Sequence, residues 1–296
     1  MRRLFVALTL LFGALPALAQ PATESVTVTA LREKQIQDYV QSHAAPSVRL
    51  GKIGRWENGI CPAATGLKPE LIRFILKRVK DVAAQVGAPV NKDPYCRHNV
   101  EIVFSSQPQS VMNYIRDDRE AYLGYHDNSD QAAAMAKVTH PIQSWYATAT
   151  VDAHGTAHTD RPPKGPPQCL DQPLCRIMVT ADIAVSTGSR LGDGLRTGFQ
   201  NVIVLADRDK LTGHEIGTLA DYIAFLVLAQ PSSQDDCTAL PSILNLLASG
   251  CTANSPELSA ADIAFLTGLY HMRADLMMMG QKSQITFQMK KALGTN

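Results

Sequence analysis

Residues Tyr222-Ile223-Ala224-Phe225-Leu226-Val227-Leu228 are apolar on every face a helix has. Such a helix offers no side to water, so it must lie between other layers of structure. The run is too short to cross a bilayer, which takes about 20 apolar residues. Its signals predict a helix from His214 to about Ala229, with Thr212 as cap and a stop ahead of Pro231. Whatever this chain folds into must supply packing partners all around that helix.

The upstream sequence supplies candidates. Glu33–His43 reads as a short helix stopped before Pro46. Arg49–Glu57 alternates and reads as a strand. Pro69–Val86 repeats its apolar residues at helical spacing, with Pro69 at the start and Gly87 and Pro89 at the end. Val100–Phe104 is a compact apolar strand. A strand–helix–strand unit of this kind suits a parallel or mixed sheet. Pro108–Arg116 and Asp130–Val138 read as short helices, and Ala121–Tyr125 as extended or loop. Ile142–Val151, Arg176–Val185 and Asn201–Ala206 read as strands. The expected fold is therefore α+β, with a mixed sheet and packed helices in one domain over residues 35–296. Residues 20–34 read as a loose lead-in, with strand propensity at Ser25–Thr29.

The N-terminus bears on the compartment. Arg2-Arg3, the apolar run Leu4–Leu18 and the small-residue site Ala17-Leu18-Ala19 form a secretory signal peptide over residues 1–19. An uncleaved anchor is the alternative. The formal charge of +1 changes little on removing two arginines, and no basic stripe exists, which argues against nucleic acid. All six cysteines fall in the exported part, where an even number implies disulfides. Pairing between sequence neighbours predicts Cys61–Cys96, Cys169–Cys175 and Cys237–Cys251. A Cys-rich zinc site is the rival, but no C-x-x-C pair occurs.

Gly213-His214-Glu215-Ile216-Gly217-Thr218 is half of H-E-x-x-H. In the full motif two His one turn apart hold zinc, and the Glu activates the bound water. Here Thr218 stands where the second His would be. Thr218 and Asp221 fall with His214 on one helical face, so His214, Glu215, Thr218 and Asp221 form a candidate cleft cluster. Ser242-Ile243-Leu244-Asn245 follows. Next comes Glu257–Tyr270, with Ser259 as N-cap and Asp262 three residues on.

In this order the segments resemble the zincin-type metallopeptidases, particularly the metzincin-like group, whose active-site helix precedes a Met-containing turn and a Leu-Ser-x-x-Asp-Ile helix. They also resemble a family of exported proteobacterial proteins of unknown function with this layout and no complete zinc motif. The resemblance covers residues 201–271 and is only topological over residues 48–150. It implies a zinc ligand at His214 and a general base at Glu215. The departures are Thr218 at the second ligand, Asp221 and Ala224 where the extended pattern has Gly and His, and Leu244 in place of the turn Met. The expected protein is thus a pseudoenzyme: a non-catalytic, zincin-like binding domain, periplasmic or secreted. It needs no cofactor and binds a peptide, protein or envelope component. The alternative is a zinc-dependent metallohydrolase with ligands rearranged from His154, His158, His271 or Asp221.

Other constellations read as ordinary structure. Ser186–Leu195 is glycine-rich but lacks the ending of a phosphate loop. No G-x-S-x-G elbow occurs. Asp117-Asp118 and Asp235-Asp236 are adjacent and do not face one another. Tyr122–Asp127 with His140 and Trp145 reads as strand-edge packing or a cleft wall, and Met277-Met278-Met279 as packing.

Overall fold

The computed structural model describes residues 23–160 and 192–294. The signal peptide, the Cys169–Cys175 pair, the strand expected at 176–185 and most of the glycine-rich segment lie outside them.

Among the described residues five strands form one mixed sheet in the order β1-β2-β5-β3-β4. They are β1 (Pro62–Thr65), β2 (Val100–Ser105), β3 (Ile142–Val151), β4 (Ala157–Thr159) and β5 (Arg196–Asp207). β1, β2 and β5 run parallel, β3 is antiparallel to β5, and β4 returns against β3 as a hairpin. The helices are α1 (Thr23–His43), α2 (Pro69–Val86), α3 (Pro108–Asp118), α4 (Ser129–Met135), α5 (Ile216–Leu228), α6 (Ala260–His271) and α7 (Met278–Ala292). The class is α+β, as the pattern of elements predicts.

Alternation along β5 explains the layering. Val202, Val204 and Ala206 face the larger core, which holds α1, α2, α5 and α6. Ile203 and Leu205 face a smaller core with Trp145, Met112 and Leu123. A strand buried on both faces reads as a continuous apolar run, as this one does.

α2 has the predicted bounds. Pro69 costs nothing at the first turn, where N–H groups lack partners in any case. Gly87 ends the helix at φ +84°, a conformation that costs a residue with a Cβ. Gly87 N–H donates to Ala84 O at 3.3 Å and Ala88 N–H to Ala83 O at 2.8 Å, closing a Schellman motif.

α5 lies between α2, the sheet and α6, and all ten residues from Leu219 to Leu228 are buried. Burial creates a problem at its C-terminus, because the last carbonyls of a helix have no partner within it. Side chains supply the donors. Trp56 Nε1 donates to Val227 O at 2.8 Å and the Tyr270 hydroxyl to Leu228 O at 2.9 Å. The Tyr146 hydroxyl sits 2.6 Å from Leu226 O and 2.8 Å from Ala229 O. Each carbonyl left bare there would cost about 1–3 kcal/mol.

Three expectations need correction. Arg49–Glu57 is not a strand. It makes only isolated bridges, Pro46 to Ile53 and Arg55 to Gly198, because Gly51 at φ +69° turns the chain. Its apparent alternation comes from a loop that buries Ile53 and Trp56 and exposes Val48. α1 begins at Thr23, so the lead-in is helical where strand propensity at Ser25–Thr29 pointed elsewhere. Helix propagation adds one hydrogen bond per residue, and this segment pairs with no strand edge. Ala121–Tyr125 overlaps a 3₁₀ turn at Glu120–Leu123.

Among the described residues two disulfides are present, Cys61–Cys96 and Cys237–Cys251, as neighbour pairing predicts. The first joins the approaches to β1 and β2. The second closes the segment after α5, where the Asn245 side chain bonds Thr238, Leu240 and Ala253. A buried ammonium fixes the start of β5. Lys52 Nζ donates to Asp193, to Leu195 O at 2.6 Å and to Asp275 O at 2.9 Å.

Candidate functional site

His214 and Glu215 of the half motif lie ahead of the helix and not in its first turn. Gly213 turns at φ +94°, and Glu215 is the N-cap, extended at φ −70° and ψ 141°. α5 starts at Ile216, two residues later than the sequence predicts. Thr212 does not cap it; its hydroxyl faces Arg208 O at 3.4 Å. His214 and Glu215 are exposed and Thr218 is half-buried. Asp221 alone is buried, and it is fully engaged. Arg78 donates to both of its oxygens, through Nε and through Nη2 at 3.0 Å, and Leu258 N–H donates at 3.1 Å. This carboxylate ties α2 and α5 to the lead-in of α6.

The histidines proposed as substitute ligands are elsewhere. His154 and His158 sit on the β3–β4 hairpin, where His158 Nε2 lies 3.1 Å from Asp152. His271 ends α6, with Nδ1 2.7 Å from Thr267 O. All eight histidines are in the described residues. Among those residues no three His, Cys, Asp or Glu gather as a metal site.

The two motifs after α5 meet at one carboxylate. Ser259 and Asp262 form the capping box that the sequence predicts. Asp262 also accepts from the Tyr39 hydroxyl, from Ser242 Oγ at 2.8 Å and from Ile243 N–H at 3.0 Å. It thus joins α1, the Ser242–Asn245 turn and α6 in the core. His43 stacks on Tyr39, its ring centroid 4.0 Å away. Its Nδ1 is 2.9 Å from Tyr39 O, and its Nε2 is 3.5 Å from Ser242 Oγ. Burial pushes the Tyr39 phenol well above its usual pKa, helped by the Asp262 charge. Burial also lowers His43 to about 4, so the ring is neutral at pH 7.

Ser, His and Asp are together here, but not as a catalytic triad. In a triad the carboxylate orients the imidazole and the imidazole takes the serine proton. Here Asp262 takes the Ser242 hydroxyl itself, and His43 turns Nδ1 to a backbone carbonyl. Ser242 and Asp262 have no solvent exposure, so no substrate reaches them. The cluster is a structural knot.

An open cleft lies at the opposite end of β5 from His214. It encloses about 590 Å³, within the 300–1,000 Å³ usual for ligand pockets. Its floor is Ala147, Ala149 and Val151, alternate residues on one face of β3, with Gly198 and Phe199 of β5 beside them. The register between β3 and β5 slips at Ala147/Thr148, which leaves Gln200 unmatched in the pairing. Loops carrying Glu57, Asn58 and Arg97–Asn99 form the walls, with Tyr122 opposite.

The polar groups of this cleft divide in two. Glu57 is matched, 3.0 Å from Arg55 Nε and 3.3 Å from Arg196 Nε. Among the described residues, the buried Asn201 Oδ1 and Arg196 Nε make no hydrogen bond. Of the aromatic group that reads as strand-edge packing or a cleft wall, Tyr122 lines this cleft. Trp145 and Tyr125 line a different hollow of about 220 Å³, and His140 a third. His126 packs internally, between Gly124 O and Glu120. No sequence signal marks the cleft itself, because its floor is built from alanines.

No protein family, no curated protein and no solved structure matches the chain.

Proposed function

We propose that this protein is an exported, non-catalytic binding domain of zincin-like ancestry, periplasmic or secreted, that holds its ligand in the cleft over β3 and β5. The observation that carries the proposal is a contrast in how polar groups are used. Those of the half motif face solvent or, in Asp221, are spent on an internal ion pair. The cleft, by contrast, is open, encloses about 590 Å³ and is lined by the exposed Arg97, whose guanidinium has no ion pair among the described residues.

The ancestry rests on the order of parts. β5 leads into a buried helix, then a turn at Ser242–Asn245, then a capping-box helix, and Asp262 links the last two. Two disulfides fit an oxidising compartment. Among the described residues no helix is long and apolar enough to cross a membrane.

A degenerate peptide library incubated with the purified protein and read by mass spectrometry tests this directly. The library should stay intact with and without added zinc. Cleavage that needs zinc and disappears in Glu215→Gln would overturn the proposal in favour of a metallohydrolase with Glu215 as base.

A further inference from the structure

We infer that Asn58, on the wall of the cleft, is a site of spontaneous deamidation through Gly59, where the chain converts itself to aspartate and isoaspartate without an enzyme. This goes beyond the binding proposal and holds whatever the cleft takes up.

Asn58-Gly59 is the one Asn-Gly pair in the sequence. Glycine has no Cβ to shield its nitrogen, so this pair closes a succinimide more readily than any other. The chain bends through Glu57 and Asn58, and the Asn58 side chain is exposed. Among the described residues neither its amide nor the Gly59 N–H has a hydrogen-bond partner. Both reacting groups are therefore free to meet. Other asparagines are held. Asn128 Oδ1 accepts from Gln131 N–H at 2.9 Å, and Asn113 Oδ1 from Gln109 Nε2 at 3.0 Å. Packing keeps the glycine in place, because a Cβ on Gly59 would stand 2.8 Å from the Asn91 backbone nitrogen. The fold thus requires Gly59, while no described contact uses the Asn58 amide.

In the reaction, Gly59 N attacks Cγ of Asn58. The new N–Cγ bond replaces Cγ–Nδ2, and Nδ2 leaves as ammonia with the proton from Gly59 N. Water then opens the ring at either carbonyl and gives aspartate or isoaspartate. Either product adds one negative charge to a wall that carries Glu57, Arg97 and His98. Isoaspartate also lengthens the main chain by one methylene just ahead of Gly59. The chain has no slack there. Asn99 Nδ2 donates to Gly59 O at 3.1 Å, Ile60 N–H to Pro89 O at 2.9 Å and Asn91 N–H to Ile60 O at 3.1 Å. The isoaspartyl form therefore disturbs these contacts, whereas aspartate, changing only an exposed side chain, leaves them alone.

The test incubates the purified protein, disulfides intact, in warm, mildly alkaline buffer. Peptide mapping by mass spectrometry then separates asparagine, aspartate and isoaspartate at each site. Asn58 should gain one dalton, chiefly as isoaspartate, roughly tenfold faster than Asn113 or Asn128, since no Cβ hinders Gly59 N. Asn58→Gln, which would have to close a six-membered ring, should stay intact at this position with an unchanged thermal midpoint. Asn58→Asp should also melt with the fresh wild type, and isoaspartyl protein isolated by ion exchange should melt below both. Asn58 that survives in the folded protein while the denatured chain converts would overturn the inference, because the fold would then shield it. Earlier conversion of Asn113 or Asn128 would overturn it too. Equal midpoints for the isoaspartyl protein and Asn58→Asp would overturn the effect on the wall.

Discussion

Two polar clusters flank the buried helix α5, and they differ in everything but composition. At its start, His214, Glu215 and Thr218 face water or lie half-exposed, and Asp221 reaches back to Arg78. Against its flank, Asp262 sits fully buried and accepts from Tyr39, Ser242, Ile243 and Ser259. The first cluster carries a sequence motif and few contacts. The second carries no catalytic motif and holds three elements together. Energy follows desolvation and partner number, so the inconspicuous cluster should dominate stability.

The comparison breaks most visibly at Asp262. Asp262→Ala strands buried donors from three elements and should cost about 3–5 kcal/mol, measured by urea denaturation. A loss under about 1 kcal/mol, within the range of ordinary surface changes, would make the knot incidental.

Next in size is a pH effect at His43. Its folded-state pKa of about 4 lies below the ordinary 6.5, so the unfolded chain takes up the proton first. Stability is therefore full above about pH 6.5 and falls as pH drops toward about 4, by roughly 3 kcal/mol from this group. His43→Phe should remove that part of the slope relative to wild type. An identical pH profile in the variant would contradict a neutral, buried imidazole.

Asp221→Asn comes third, at about 1–2 kcal/mol. Arg78 is partly exposed, so water and salt weaken the pair, and the loss should shrink in high salt. The smallest effect belongs to the residues the motif draws attention to. His214→Ala and Glu215→Gln should each shift stability by no more than about 0.5 kcal/mol.

The contrast also explains what was readable in the sequence. α2 is legible because its signals are local: Pro69, helical spacing and Gly87. β3 is legible through its aromatic and Thr residues over Ile142–Val151. The capping box at Ser259 and Asp262 is local too, and it appears as predicted. The partners of Asp262 are not local. Tyr39 lies 223 residues away, and no periodicity connects them. The start of α5 was misplaced because a polar residue ahead of an apolar run fits an N-cap or a first turn equally well, and Gly213 decided between them. The cleft left no trace because a cavity is an absence of side-chain volume, and alanine in a strand looks the same over a cavity as in a tight core.

The central claim is that the half motif is a surface turn and holds no metal. Elemental analysis of protein purified from an exporting host without a His tag, beside His214→Ala, tests it most directly. The account predicts well under one zinc per chain in both, with equal thermal midpoints before and after chelation. One zinc per chain, lost in His214→Ala, would contradict it.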